Sequence, residues 1–265
     1  MMRPMILEWL KFISTPSPKY IRKLGYLREL IGIESRFKRI PGNWQSHLEN
    51  SKRVILEAAE ACERKNRVLV IGTGLWHDVP VDELCAQFSH VTFADIFHLP
   101  RMVRKADEYP NLKLAQVDVT ETAEPLWNAI RDNKPVPDIV PTVFHDGDID
   151  LVVSLNVWSQ LPVLLKEHLE RKTKMTPQEL EAFSQNLIAK HMTYLKGFKG
   201  RVCLISDVRR ETVIDGEVTY SRDTLLGNPH PKPDESWIWD LAPRPEQDPH
   251  ADIRLVVNAW KNIKH

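Results

Sequence analysis

Gly72, Thr73 and Gly74 stand directly behind the apolar run Val68 to Ile71. Two glycines at the end of a strand let the backbone turn sharply and let a ligand approach bare main chain. Asp95 closes a second apolar run, Val91 to Ala94, at roughly the 20-residue interval where nucleotide-type folds place an acid that accepts hydrogen bonds from ribose hydroxyls. The alternative for Asp95 is a loop acid that caps the next helix. Asp118 ends a third strand-like run, Leu112 to Val117, and Asn156 ends a fourth, Ile149 to Leu155. His77 and His98 follow the first and second of these runs, and histidine is the side chain that titrates near neutral pH. His98 could equally cap a helix from Leu99, and His77 could be a solvated loop residue. Asp207, after a fifth run from Val202 to Ser206, could face the same site or pair with Arg209 or Arg210. Trp76, Trp158, Ser159 and Gln160 complete the residues expected at this rim.

These side chains need a scaffold that brings the ends of several strands together. The run Val68 to Ile71 suits a buried parallel strand. The helix after it is expected from about Val79, with Pro80 in its first turn and Asp82 and Glu83 at the positive end of its dipole. Val81, Leu84, Cys85 and Phe88 recur at i, i+3, i+4 and i+7, one apolar face. Helices are also expected over 99–109 and 121–131, with helical character in 157–175. Thr176-Pro177-Gln178-Glu179 is a capping box with proline at the first helical position, heading a helix that carries His191 as a packed residue. Strand and helix alternate from 67 to 206, so the sheet is mainly parallel there. Thr212 to Tyr220 reads as a hairpin on an Asp215-Gly216 turn, and Ile253 to Ala259 as a last strand, both adding antiparallel edges. The proline-rich stretch 227–249 reads as a loop, in which the run Trp237 to Asp240 either anchors the loop on the core or walls an aromatic or apolar substrate pocket. His145 to Asp150 superficially suggests a calcium loop, but its glycine is misplaced and Asp150 runs straight into a strand.

Residues 1–65 are expected to be a helical, basic extension, broken at 14–18 and again at Pro41-Gly42-Asn43. Either they pack on the core or they form a lid that selects a substrate. Residues 66–265 form the second unit, an α/β Rossmann-like doubly wound domain.

In the order Gly72-Thr73-Gly74, Asp95, Asp118, Asn156 the chain resembles the class I S-adenosylmethionine-dependent methyltransferases, over residues 67 to 207. The resemblance implies S-adenosylmethionine as cofactor. It places Gly72, Thr73 and Gly74 against the methionine part, Asp95 with Ile96 at the ribose, Asp118 with Val119 at the adenine, and Asn156 facing the transferred methyl. Trp76 stands where that family usually has a third glycine, and is expected to reshape or partly fill the amino-acid end of the site. The implied chemistry is in-line displacement at the sulfonium carbon, where positioning alone contributes about 7 to 11 kcal/mol. No fixed catalytic set comes with it; His77, His98 and Asn156 are the candidates. A nicotinamide dinucleotide is the rival ligand. A diphosphate wants a helix N-terminus free of anions, and Asp78, Asp82 and Glu83 crowd this one, each repelling it by about 1 to 4 kcal/mol at 4 Å. A scaffold whose site is closed by Trp76, or a protein transferring another group from the same cofactor, stays open.

The 265 residues carry 36 basic and 36 acidic side chains. A balanced charge gives no pull toward nucleic acid or a membrane surface, so the expected partner is a small-molecule substrate. Cys62, Cys85 and Cys203 lie far apart among apolar residues and read as small core residues, with no metal or disulfide framework. There is no apolar run long enough to span a bilayer, and Glu8 and Lys11 interrupt the N-terminal apolar stretch, unlike a signal peptide. The expected location is cytoplasmic.

Overall fold

The computed structural model describes residues 3–264; Met1 and Met2, at the head of the stretch judged unlike a signal peptide, lie outside them. Four helices lead the chain: α1 (Arg3–Ser14), α2 (Lys19–Leu24), α3 (Tyr26–Arg39) and α4 (Pro41–Glu60). Alternation follows: β1 (Arg67–Ile71), α5 (Val81–Gln87), β2 (His90–Asp95), α6 (Pro100–Ala106), β3 (Leu112–Gln116), α7 (Ala123–Arg131) and β4 (Leu151–Leu155). A 3-10 turn (Trp158–Gln160), α8 (Val163–Lys172) and α9 (Pro177–Lys196) lead to β5 (Arg201–Ile214), β6 (Glu217–Asp223), β7 (Glu235–Ala242) and β8 (Asp252–Trp260).

The sheet runs β3-β2-β1-β4-β5-β8-β7, with β6 on the far half of β5. Strands β1 to β5 are parallel; β8 pairs antiparallel with β5 and β7 antiparallel with β8. This is the expected Rossmann-like, mainly parallel sheet with antiparallel edges. Strand order reverses at β1, between β2 and β4, and ligands of such sheets sit outside the carboxyl ends at that point.

Both faces of β1 are buried, as parallel strands require. Val68 and Val70 pack with Ile55 and Ala58 of α4 and Leu84 of α5 on one side; Leu69 and Ile71 pack with Ile188, Met192 and Leu195 of α9 on the other. A third cluster, with Leu24, Leu126, Leu165, Leu169 and Leu187, ties α2 to α7, α8 and α9. In α9 the capping box forms as expected, Thr176 accepting from the Glu179 backbone and Glu179 accepting in return. His191 is buried and its Nε2 lies 2.9 Å from Ser154 Oγ.

Several expectations are corrected. The break expected at Pro41-Gly42-Asn43 falls one residue earlier, at Ile40 between α3 and α4, because Pro41 takes the first helical position, where its missing N–H costs nothing. The break before α3 falls at Gly25, whose φ of 103° is left-handed. The fifth strand and the first arm of the hairpin are one continuous strand, β5, which changes partner from β4 to β6 part-way. Trp237 and Trp239 do not lie in a loop. They alternate along β7, and both turn inward against α4. Among the described residues no helix is long and apolar enough to cross a membrane.

Candidate functional site

A cavity of about 410 Å³ opens at the carboxyl ends of β1, β2 and β4. That volume lies in the usual range for small-molecule and cofactor sites. Its floor is the expected turn. Gly72 has φ of 82°, and a side-chain carbon there would stand 2.2 Å from Val157 Cγ1 and 2.5 Å from the Leu155 carbonyl. The close approach of β1 to the end of β4 therefore requires glycine. Gly74, at φ of 46°, has open space around it. Its N–H donates to Asp95 Oδ2 at 2.8 Å, which ties the turn after β1 to the end of β2. Gly72, Thr73, Gly74, Asp95 and Ile96 all line the cavity. Burial holds the Asp95 carboxyl above its usual range, against the lowering effect of the Gly74 N–H and of His98. A ligand hydroxyl donating to this carboxylate would offset part of that burial.

Val119 and Asp118 also line the cavity. The Asp118 carboxylate, however, is occupied. Oδ1 accepts from the Thr120 N–H and hydroxyl at 2.8 and 2.7 Å, and Oδ2 from the Thr122 and Ala123 N–H groups at 2.9 and 2.6 Å. Four donors fill the acceptor positions of one carboxylate. Asp118 thus holds its own loop and the start of α7, where an acid complements the helix dipole. Asp118 lines the cavity, as its expected place by the adenine requires, but its carboxylate has no acceptor position left for a ligand.

Trp76 and His98 are corrected more sharply, for neither lines the cavity. Trp76 has φ of 64°, a conformation that turns its indole into the core, where it is 4% exposed. There it meets Phe93 edge-on at 5.2 Å, with Lys105 over its ring. His98 is buried at the end of β2, with Nε2 placed 3.2 Å from the Ala115 carbonyl, and it does not cap α6. Trp158 is also buried, donating to the Ile188 carbonyl at 2.8 Å, and Arg209 is exposed and paired with Glu211. Asp207 lines the cavity, bonded to the Ser159 hydroxyl rather than to Arg209 or Arg210.

His77 does line the cavity, its ring stacked on Phe37 at 3.8 Å. Burial, with help from Arg101 and Lys52, lowers its pKa to about 4, so near neutral pH it is an unprotonated acceptor.

The structure adds two residues, His47 and Asp78, that sequence reasoning passed over as site residues, and both meet the expected Asn156. Asn156, at φ of 53°, turns its amide toward Asp78 and His47. The amide nitrogen lies 2.9 Å from Asp78 Oδ2 and 3.0 Å from His47 Nε2, and the Trp237 Nε1–H donates to His47 Nδ1 at 3.1 Å. An indole N–H can only donate. His47 Nδ1 is therefore an acceptor and the neutral ring carries its proton on Nε2, and two donors cannot face each other, so that tautomer requires the Asn156 amide to be turned over with its oxygen toward His47. Burial keeps that ring neutral down to about pH 3. Burial also pushes Asp78 up to about 6, opposed by the bond from Asn156. The order of donors along this row thus depends on the protonation state of Asp78. The signal available in the sequence was Trp44, His47 and Leu48 at i, i+3 and i+4, on a segment that read either as packing on the core or as a lid, with no site residue singled out.

Comparison with protein-family profiles and with curated proteins finds no match. Among solved structures, the chain is similar to the N-methyltransferase NodS from Bradyrhizobium japonicum WM9 in complex with S-adenosylhomocysteine, at 10% identity and TM-score 0.40, covering 83% of this chain and 88% of that one. It is also similar to the 1,6-didemethyltoxoflavin-N1-methyltransferase of Burkholderia thailandensis, at 12% identity and TM-score 0.35, covering 85% and 86%. A third is DhpI with S-adenosylmethionine, at 15% identity and TM-score 0.35, covering 92% and 99%.

Proposed function

We propose that the protein is an S-adenosylmethionine-dependent methyltransferase of the class I type, acting on a small molecule. The observation that carries this reading is the bond from the Gly74 N–H to Asp95, which joins the glycine turn to an acid at the next strand end, under the cavity. Gly72, Thr73 and Gly74 would hold the amino-acid end of the cofactor, Asp95 and Ile96 the ribose, and Val119 with the 118–120 loop the base. The cofactor supplies an electrophilic methyl group on a sulfonium cation. Asp78 and Asp95, both facing the cavity, suit that cation and oppose a diphosphate. Asn156 stands where the methyl would be delivered, its amide held by Asp78 and His47. A proton lost by the substrate would find two acceptors here, His77 and, above about pH 6, the Asp78 carboxylate.

A scaffold reading rests on Trp76 closing the site, and Trp76 lies elsewhere. The same position removes the reason to favour transfer of a group other than methyl. Helices α3 and α4 contribute Tyr26, Leu30, Arg36, Trp44 and His47 to the cavity wall, and we assign substrate selection to this N-terminal extension.

Thermal unfolding with added S-adenosylhomocysteine or nicotinamide dinucleotide tests the reading. At a hundredfold excess over Kd a ligand stabilises by about 2.7 kcal/mol, a rise of roughly 5 to 10 °C at this size. The rise is expected with S-adenosylhomocysteine alone. A rise with the dinucleotide, or with neither, contradicts the reading.

A further inference from the structure

Asp78 and Asp95 line the cavity by the glycine turn; Glu29, Glu167 and Asp207 also line it, and so does an arginine, Arg36. Arg36 of α3 lines the cavity beside Asp207, Trp44, Trp239 and Leu241. On the extension of β5 beyond the core, Arg210 stands directly opposite Arg222 of β6. Side chains of a directly opposed pair share one face of the sheet, and like charges so placed destabilise a hairpin. Arg210 is half-buried, and its guanidinium is held below its usual range first by burial, then by Arg222 and by Arg36, with Asp207 opposing. The strand register places these side chains: Trp239, Leu255, Arg210 and Arg222 stand opposite one another across β7, β8, β5 and β6, one row on one face, in which Trp239 and Leu255 line the cavity with Arg36 while Arg210 and Arg222 continue the row beyond its wall.

Among the described residues none of the three makes a salt bridge, although the molecule forms sixteen ion pairs elsewhere. Arg36 Nε is buried without an acceptor, and so is Nε1 of Trp239, another residue of the cavity wall. Asp207, the acid that opposes them, does not by itself balance three cations. Asp207 is itself held above its usual range by burial, and one of its oxygens is committed to the Ser159 hydroxyl. An uncompensated group of guanidinium donors beside an aromatic wall suits an oxyanion, which arginine meets with paired, charge-assisted hydrogen bonds. Trp44, Trp239, Leu241 and Leu255 offer flat apolar surface next to it.

We propose that the methyl-accepting substrate is a small aromatic or apolar acid, whose carboxylate or phosphate is bound by Arg36, Arg210 and Arg222 while its apolar body lies against Trp44 and Trp239. This rests on the methyltransferase reading for the word substrate. The anion site itself does not depend on which cofactor binds.

The test is calorimetric titration of the full chain with 3-phenylpropionate and with phenyl phosphate, each compared with a neutral counterpart, 3-phenylpropionamide and phenol. Titration with S-adenosylhomocysteine is run in parallel. At least one anion should bind ten or more times tighter than its neutral counterpart. That preference should fall at least tenfold in Arg210→Gln and in the exposed Arg222→Gln, and S-adenosylhomocysteine binding should persist in both. Equal affinity for anion and neutral compound, absence of anion binding, or a preference unchanged in both variants overturns the proposal. Anion binding without S-adenosylhomocysteine binding leaves the anion site standing and defeats the cofactor reading instead.

Discussion

The His47 imidazole lies flat on the Trp239 indole, ring centroids 3.8 Å apart and planes 2° from parallel. Helix α4 and strand β7, nearly two hundred residues apart in the chain, thereby form one wall of the cavity. The stack also explains the ring's charge state. A histidine sealed between a tryptophan face and a donated indole N–H has no solvent to support a second proton. With its pKa lowered from 6.5 to about 3, His47 contributes stability that is present above pH 6.5 and lost as pH falls toward 3. The His47 ring signals in an NMR titration should stay flat from pH 8 to pH 5. A midpoint near 6.5 would show the ring open to water.

Asp78 works in the opposite sense. Its pKa is raised from 3.8 to about 6, so its contribution is present below pH 3.8 and lost as pH rises through 6. Asp78→Asn should therefore gain on the wild type with rising pH, by on the order of 3 kcal/mol between pH 3 and pH 8. Urea unfolding of both proteins across that range checks it, and a difference independent of pH would sink the assignment.

The two glycines of the turn should respond unequally. Gly72→Ala meets backbone and Val157 at well under contact distance and must also hold φ of 82°. It should lower the unfolding free energy by about 3 kcal/mol or more. Gly74→Ala meets nothing within 4 Å and should lose only about 1 kcal/mol. Equal losses would mean the turn does not pack against β4 as described.

Trp76 separates stability from binding. Its indole is a core side chain, so Trp76→Ala should lower stability by about 3 to 5 kcal/mol. The folded protein should still bind S-adenosylhomocysteine within about threefold of wild type, under 1 kcal/mol. A large loss of affinity at unchanged stability would return Trp76 to the site.

The sequence made the sheet readable because β1, β4 and the first half of β5 are buried on both faces, and the strand ends carry glycine, acid or amide. That pattern located Gly72, Gly74, Asp95 and Asn156 at one cavity. It misread Trp76, because spacing places a residue in a turn without fixing the sign of φ, and a left-handed residue reverses where its side chain goes. It placed Trp237 and Trp239 in a loop rather than a strand, because flanking prolines mask an alternation that only pairing with β8 reveals, while the alternative of a pocket wall holds for Trp239. His47 and Arg36 were not legible as site residues at all. A single histidine or arginine on an amphipathic helix looks like any other, and only the packing of α3 and α4 over the strand ends gives those two a common address.

The most direct test of the account is calorimetric titration of the purified protein with S-adenosylhomocysteine, alongside Asp95→Ala. The wild type should bind saturably, and the variant, which loses the anchor of the Gly74 N–H and the proposed ribose acceptor, should bind at least a hundredfold more weakly, about 2.7 kcal/mol. No binding by the wild type at millimolar ligand, or equal binding by both proteins, would contradict the account.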